Sequence, residues 1–202
     1  GPLGRMLTPV LSTKKSLEIV AALDIDPTLT GTDLGELADA GKGISISGTL
    51  NDALAARPDV AVVTTVSELD RLWPQIEPVI EAGIHIVSTC EELSYPWTTN
   101  PELSNTIDAA ARSHNVSVLG TGVNPGFLMD FLPSAATAAC RRVDTVLVER
   151  IQDASSRRLP FRQKIGAGLT AKEFAKRTDA GKIRHVGLTE SAHFITEKLG
   201  WT

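Results

Sequence analysis

Cysteine is scarce in this chain. Cys90 and Cys140 are its two cysteines, and no C-x-x-C spacing occurs. That excludes a disulfide framework and predicts a reduced, cytoplasmic setting. The four histidines are scattered without metal-ligand spacing, so no metal centre is expected. No apolar run reaches about 18 residues, which excludes a helical membrane span, and no secretory leader pattern is visible. Basic blocks are also lacking. Twenty Lys and Arg face 24 Asp and Glu, a net charge of −4, so neither nucleic acid nor a membrane surface is an expected partner. There is no internal repeat and no low-complexity tract.

What is present is an ordinary globular composition, 42% hydrophobic and 22% charged, in 202 residues. Such a chain is long enough to bury a substantial core. Apolar runs at 17–23, 59–65, 84–89 and 116–119 predict strands, and helical patterns follow them. The helix over 68–82 carries Leu69, Leu72, Trp73, Ile76, Val79 and Ile80 at helical spacing. Ser67 is placed to cap it, with Asp70 three residues on. Pro74 and Pro78 predict a kink or a two-part helix. Further helices are expected over 102–114 and 127–140. Strand–helix repeats without hairpin turns predict an α/β fold of Rossmann type, a doubly wound parallel sheet. Ligands of such sheets lie at the carboxyl ends of the strands. Those ends are Asp24, Thr64 to Ser67, Ser88 to Glu92, and Gly120-Thr-Gly-Val-Asn-Pro-Gly126.

The pattern changes after Arg141. Residues 143–150 alternate and predict a strand of a second sheet, and Thr170 and Glu173 form a capping-box pattern ahead of a short helix. A final helix is expected over 189–199. The predicted division is a nucleotide-binding domain over 1–140 and the start of an α+β catalytic domain over 141–202.

The opening Gly1-Pro-Leu-Gly4 admits two readings on spacing alone. It is the scar of an expression tag, or the last two glycines of a G-x-G-x-x-G phosphate turn whose first strand is missing. Asp24 follows Gly4 by 20 residues, where such folds place the acid that binds a ribose.

Ser88-Thr-Cys-Glu-Glu-Leu-Ser-Tyr-Pro96 and Gly120-Thr-Gly-Val-Asn-Pro-Gly-Phe-Leu-Met-Asp130 carry a resemblance. With Arg157-Arg-Leu-Pro160, Lys164-Ile-Gly-Ala-Gly-Leu-Thr170 and His185-Val-Gly-Leu-Thr-Glu-Ser191, they resemble the 2,4-diaminopentanoate dehydrogenase and native amine dehydrogenase family. That family is distantly similar to dihydrodipicolinate reductases. The resemblance runs from Gly1 to about Trp201. Members look like Gly-x-Gly-Pro-Leu/Ile-Gly-Arg at their start, which makes Gly1 to Arg5 native and the chain a partial one. It would lack its first strand and part of its catalytic domain.

The resemblance implies an NAD(P)-dependent enzyme. It would deaminate an amine or diamino acid oxidatively, or aminate a ketone with ammonia by hydride transfer to an imine. It also implies a homodimer built through the second domain. Gly1, Gly4 and Arg5 would cradle the pyrophosphate at a helix amino end. Asp24 would accept from the adenosine 2′-hydroxyl, with Asp26 a weaker candidate. Thr64, Thr65, Ser67, Ser88, Thr89, Cys90 and Asn124 would line the cofactor crevice, though Ser67 also reads as a cap and Cys90 as buried filler.

Glu91 and Glu92 directly follow a buried strand. A carboxylate there is suited to hold ammonium and act as base. The family pattern favours Glu92, with Glu91 in reserve; a helix cap is the structural alternative. Met129, Arg150 and His185 match positions that resemble substrate-pocket residues. Two other readings stand beside this one, a cyclic-imine reductase and a nucleotide-binding module without catalysis. The double-histidine and lysine signature of the reductases is not evident.

Overall fold

A computed structural model describes residues 1–155, 162–163, 165–183 and 186–201. The chain begins with α1 (Pro2–Ser12) and then alternates. The order is β1 (Ala22–Leu23), α2 (Leu34–Ala38), β2 (Ile46–Ser47), α3 (Leu50–Leu54), β3 (Val60–Val63), α4 (Leu69–Glu81) and β4 (His85–Ser88). A one-turn 3-10 helix at Glu92–Ser94 precedes α5 (Pro101–Ser113), β5 (Val118–Gly120) and α6 (Phe131–Thr137). Beyond it come α7 (Ala171–Asp179) and α8 (Leu188–Lys198).

All the named strand pairs are parallel. β1 pairs with β2 in one sheet, and β3, β4 and β5 form a second in that order. The main core lies on one face of the second sheet. Leu69, Leu72, Ile76, Val79 and Ile80 of α4 meet Ile84, Ile86 and Cys90 around β4, and Ile107 of α5. The pairing register puts Ala61, Ile86 and Val118 on this face. Val60, Val62 and Leu119 point the other way and stay exposed.

Of the two expected forms, the two-part helix does not occur: α4 runs as one helix with Pro74 and Pro78 inside. Each interior proline costs about 3 kcal/mol. The five buried aliphatic side chains of α4 each return roughly 1.5–3 kcal/mol, so tertiary packing outweighs the lost donors.

The strand expected over 17–23 pairs only at Ala22 and Leu23, because β2 is itself two residues long. The segment between β1 and β3 holds α2, β2 and α3, which the hydrophobic runs did not signal. Their caps were legible. Asp33 accepts from Gly35 N–H, and Thr49 accepts from Asp52 N–H. The helix over 127–140 is shorter than expected. Asp130 caps it by accepting from Phe131 N–H, so it begins at Phe131.

Residues 143–150 are not a strand. Their alternation finds no partner among the described residues, and Leu147 and Ile151 lie exposed. A strand needs a ladder to satisfy its backbone. The capping box at Thr170 and Glu173 forms as expected at the start of α7.

Candidate active site

The first cluster gathers at the carboxyl end of β1. The Gly1 amine donates to Asp24 Oδ2, and Asp26 N–H donates to Asp24 Oδ1 at 3.1 Å. The amine contact chiefly holds the Asp24 carboxyl below the usual carboxylate range; burial is the next influence and works against it, and the Asp26 N–H and the nearby charges of the amine and Arg5 add smaller lowering effects. The Thr28 hydroxyl and N–H do the same for Asp26. A Cβ on Gly4 would stand 3.5 Å from Thr64 Oγ1, so the first turn of α1 lies against the end of β3. A Cβ on Gly1 would meet open space. Gly1, Gly4, Arg5, Asp24 and Thr64 thus share one end of the fold. A carboxylate beside bare glycine backbone at a helix amino end fits a dinucleotide's ribose and phosphates.

The second cluster joins β3 to β4. Thr65 Oγ1 donates to Gln75 Oε1 at 2.7 Å. Ser88 is buried, and its Oγ accepts from Cys90 N–H at 3.1 Å. Thr89 N–H donates to Val63 O at 3.1 Å. Cys90 Sγ lies 3.1 Å from Ser67 O, which it meets as donor. Burial pushes the Cys90 thiol up to about 11, so it stays a neutral filler at physiological pH.

Ser67 is not the cap of α4. The capping position is Glu68, and it makes no side-chain cap bond. The carboxylate of Glu92 takes that role from 23 residues away, its Oε2 accepting from Leu69 N–H at 2.8 Å. Glu92 N–H in turn donates to Ser67 O at 3.2 Å. The helix-capping alternative for Glu92 is therefore realised by one of its two oxygens.

The third cluster surrounds Glu91. Gly120 ends β5 where a Cβ would strike Leu93 O at 2.5 Å, so only glycine lets the 3-10 turn approach the strand. Thr121 N–H donates to Ser88 O at 2.8 Å, bringing the Gly120–Gly126 loop beside β4. The Asn124–Pro125 peptide is cis, and Asn124 Oδ1 is buried without a partner among the described residues. Gly187 has φ +91°, and its missing Cβ would lie 2.5 Å from the Pro125 ring and 3.1 Å from Glu91 Cβ. Glu91, Pro125 and Gly187 are therefore in contact.

Asp130 holds this corner together. It is 3% exposed and accepts from Gly126 N–H at 2.7 Å, Phe131 N–H at 2.6 Å and Ser191 Oγ at 2.9 Å. Asp130→Ala strands those buried donors. A loss of about 2–4 kcal/mol is expected, read as a lowered urea midpoint; an unchanged midpoint would show that the clasp carries no stability.

Met129 is half-buried in the turn before α6. Arg150 lies in the irregular stretch, where its Nη2 donates to Gln152 Oε1 at 2.9 Å. No hydrogen bond or ion pair joins Arg150 to the clusters among the described residues. His185, Arg157 and Arg158 lie outside the described residues. No group of potential metal ligands occurs among the described residues, and no described helix is long and apolar enough to cross a membrane.

A cavity of about 420 Å³ opens beside the second cluster. Thr65, Val66, Ser67, Glu68 and Arg71 line one side, with Gly181, Lys182 and Val186 on the other.

The whole chain is 32% identical over 206 aligned positions to a 2,4-diaminopentanoate dehydrogenase of Acetoanaerobium sticklandii, of which it covers 58%. Residues 127–202 match the model of the 2,4-diaminopentanoate dehydrogenase C-terminal domain. The chain is thus similar over its whole length to a 2,4-diaminopentanoate dehydrogenase, and its residues 127–202 match that family's C-terminal domain. An amine dehydrogenase of Streptomyces virginiae is 25% identical over 161 residues, which are 77% of this chain and 45% of that protein. The solved amine dehydrogenase of Mycobacterium smegmatis shares the fold, with a TM-score of 0.78 at 24% identity, over 99% of this chain and 60% of that one. The chain thus spans about three-fifths of the first relative's length.

Among the residues of these clusters and the cavity, sequence reasoning missed Arg71, Lys182, Gly187 and Asp130. Two signals were available. Asp130 stands four residues after Gly126, inside a motif already singled out. Gly187 directly precedes a helix, a place where glycine often marks unusual backbone.

Proposed function

We propose that the chain forms the NAD(P)-binding part, with the start of the substrate domain, of a dehydrogenase acting on the CH–NH2 group of an amine or diamino acid. The observation that carries this reading is the relation to 2,4-diaminopentanoate dehydrogenase over the full length of the chain. The convergence of Asp24, Thr64 and the Ser88–Glu92 turn on the carboxyl ends of parallel strands supports it.

The two sheets are, on this reading, the wings of one doubly wound sheet. An additional parallel strand belongs between β1 and β3. Each of these strands ends its sheet, so each has an unpaired edge. Val20, Leu23, Val60 and Val62 lie 37–44% exposed along them. Gly1 sits beside Asp24 and Gly4 beside Thr64, which sets the start of α1 between the two edges.

Reduced nicotinamide, when bound, supplies the hydride. Asp24 accepts from the adenosine ribose, and its charge opposes a 2′-phosphate. Gly1, Gly4 and Arg5 meet the pyrophosphate; Thr64, Thr65, Ser67, Ser88, Thr89, Cys90 and Asn124 border the crevice. In the aminating direction Glu92 takes a proton from ammonium, and ammonia adds to the ketone. Water leaves to give an iminium, whose positive charge the carboxylate opposes as hydride arrives at carbon. Glu91 is the alternative base. Met129, Arg150 and His185 belong to the substrate side, and the protein is a homodimer.

The test uses the full-length protein. NADH and NADPH oxidation is followed by near-ultraviolet absorbance with a panel of small ketones, with and without ammonium. Oxidation that requires both ketone and ammonium is expected. Oxidation with ketone alone would instead mean a carbonyl reductase. The cofactor ratio tests Asp24. Asp24→Ser should move the kcat/KM ratio toward NADPH by about tenfold or more, since it removes a charge repulsion of about 1.4 kcal/mol or greater.

A further inference from the structure

The cavity between the start of α4 and Gly181, Lys182 and Val186 has a charge pattern that the function above does not use. Two cations face it from separate elements, Arg71 from α4 and Lys182 from the turn after α7. Gly181, at φ +66°, turns the chain there, and Lys182 N–H is anchored to Arg177 O at 2.8 Å. Among the described residues Glu68 is the single carboxylate of the lining, and its Oε2 pairs with Arg71 Nη1 at 3.6 Å. Lys182 has no ion pair among the described residues. The lining therefore carries net positive charge in a chain whose net charge is −4. Its floor is polar as well. Ser67 offers a hydroxyl, and Thr65 is held in place by its bond to Gln75. Gln75 Nε2 donates to Arg71 O at 2.8 Å, which ties that hydroxyl to the backbone carrying the guanidinium.

We propose that this cavity is an oxyanion subsite, in which Lys182 and Arg71 receive the carboxylate of a diamino-acid substrate. Guanidinium and ammonium groups are the usual partners of such oxygens. The cavity begins at Thr65 to Ser67, directly after β3, and Glu92 and Cys90 both hydrogen-bond to Ser67 O. An anion held here lies next to the turn that carries the proposed base. The assignment rests on the dehydrogenase reading, and on that reading the subsite separates diamino acids from plain amines.

The test measures binding by calorimetry on the full-length enzyme, comparing wild type with Lys182→Met, Arg71→Gln and the charge-retaining Lys182→Arg. The probes are 2,4-diaminopentanoate, butane-1,3-diamine (the same skeleton without the carboxylate), NADH and NADPH. For a carboxylate site, Lys182→Met weakens 2,4-diaminopentanoate by about tenfold or more, leaves butane-1,3-diamine unchanged, and Lys182→Arg recovers most of the loss. The same loss falling on NADH and NADPH instead would overturn the proposal, since it would put a cofactor phosphate in the cavity. The proposal is overturned if no probe weakens more than about twofold, or if the acid and the plain diamine weaken alike. Turnover is read separately on the same proteins. Charge-dependent binding without turnover would sink the dehydrogenase reading and leave the subsite standing.

Discussion

Glu92→Gln is expected to lower kcat for reductive amination by about 10²–10⁴-fold, the usual contribution of a positioned general base. Its thermal midpoint should hardly move. The reason lies in the double duty of this side chain. Glu92 Oε2 accepts from Leu69 N–H and so caps α4. A glutamine keeps a carbonyl oxygen for that bond and loses the ability to take a proton. Glu92→Ala removes both, and a lost cap costs about 1 kcal/mol, so alanine would mix a folding effect with a chemical one. Glu91→Gln is the companion measurement. Glu91 sits against Gly187 and the Asn124–Pro125 turn, not at the helix end. A larger kcat loss for Glu91→Gln than for Glu92→Gln would transfer the role of base to Glu91. Cofactor affinity, read by fluorescence titration, should remain near wild type in both variants. A collapse of that affinity would mean that the carboxylates act on the dinucleotide and not on the amine.

Supplying the strand between β1 and β3 should raise stability. Fusing a short strand of β-branched residues ahead of Gly1 gives both unpaired edges a ladder. It also covers part of Val20, Leu23, Val60 and Val62. Burial of this apolar surface, at about 25 cal/mol per Å², works against the entropy of ordering the added residues, and a raised thermal midpoint is the expected result. A Gly/Ser extension of equal length, which cannot pack, is the control. Equal midpoints for the two extensions would show that the slot does not accept a strand. The amides of β3 offer a second readout, since hydrogen exchange at Val60 to Val63 should slow only with the β-branched extension.

Acid should weaken the first cluster. The Asp26 carboxyl is held below the usual range in the folded chain, chiefly by the Thr28 hydroxyl and then by the Thr28 N–H. The stability it lends is fully present above the unfolded carboxylate value, near pH 4, and is lost as pH falls through the lowered folded value. An acid limb of the stability curve that is shallower in Asp26→Asn than in wild type checks this sign.

The sequence by itself determined the periodic elements. Leu69, Leu72, Ile76, Val79 and Ile80 at helical spacing specify α4, and Thr170 with Glu173 specify the start of α7. The apolar runs behind β3, β4 and β5, each followed by a helical pattern, specify parallel strands. These signals are local, because hydrophobic period and cap chemistry act within one or two turns of chain. Short elements escaped that reading. α2, β2 and α3 are two to five residues long, too short for a period to register.

Tertiary structure alone decided the rest. Residues 143–150 have a strand's alternation but no ladder partner among the described residues, and a strand depends on its neighbour. Ser67 had the right local chemistry for a cap, yet a carboxylate 23 residues away took the Leu69 N–H. The contact of Glu91 with Gly187, the clasp of Asp130 on Ser191, and the facing of Arg71 with Lys182 all join residues far apart in the chain. Residue types and spacing pointed to which side chains could do chemistry. Which of them meet depends on how the loops at the strand ends pack, and that is a property of the folded chain.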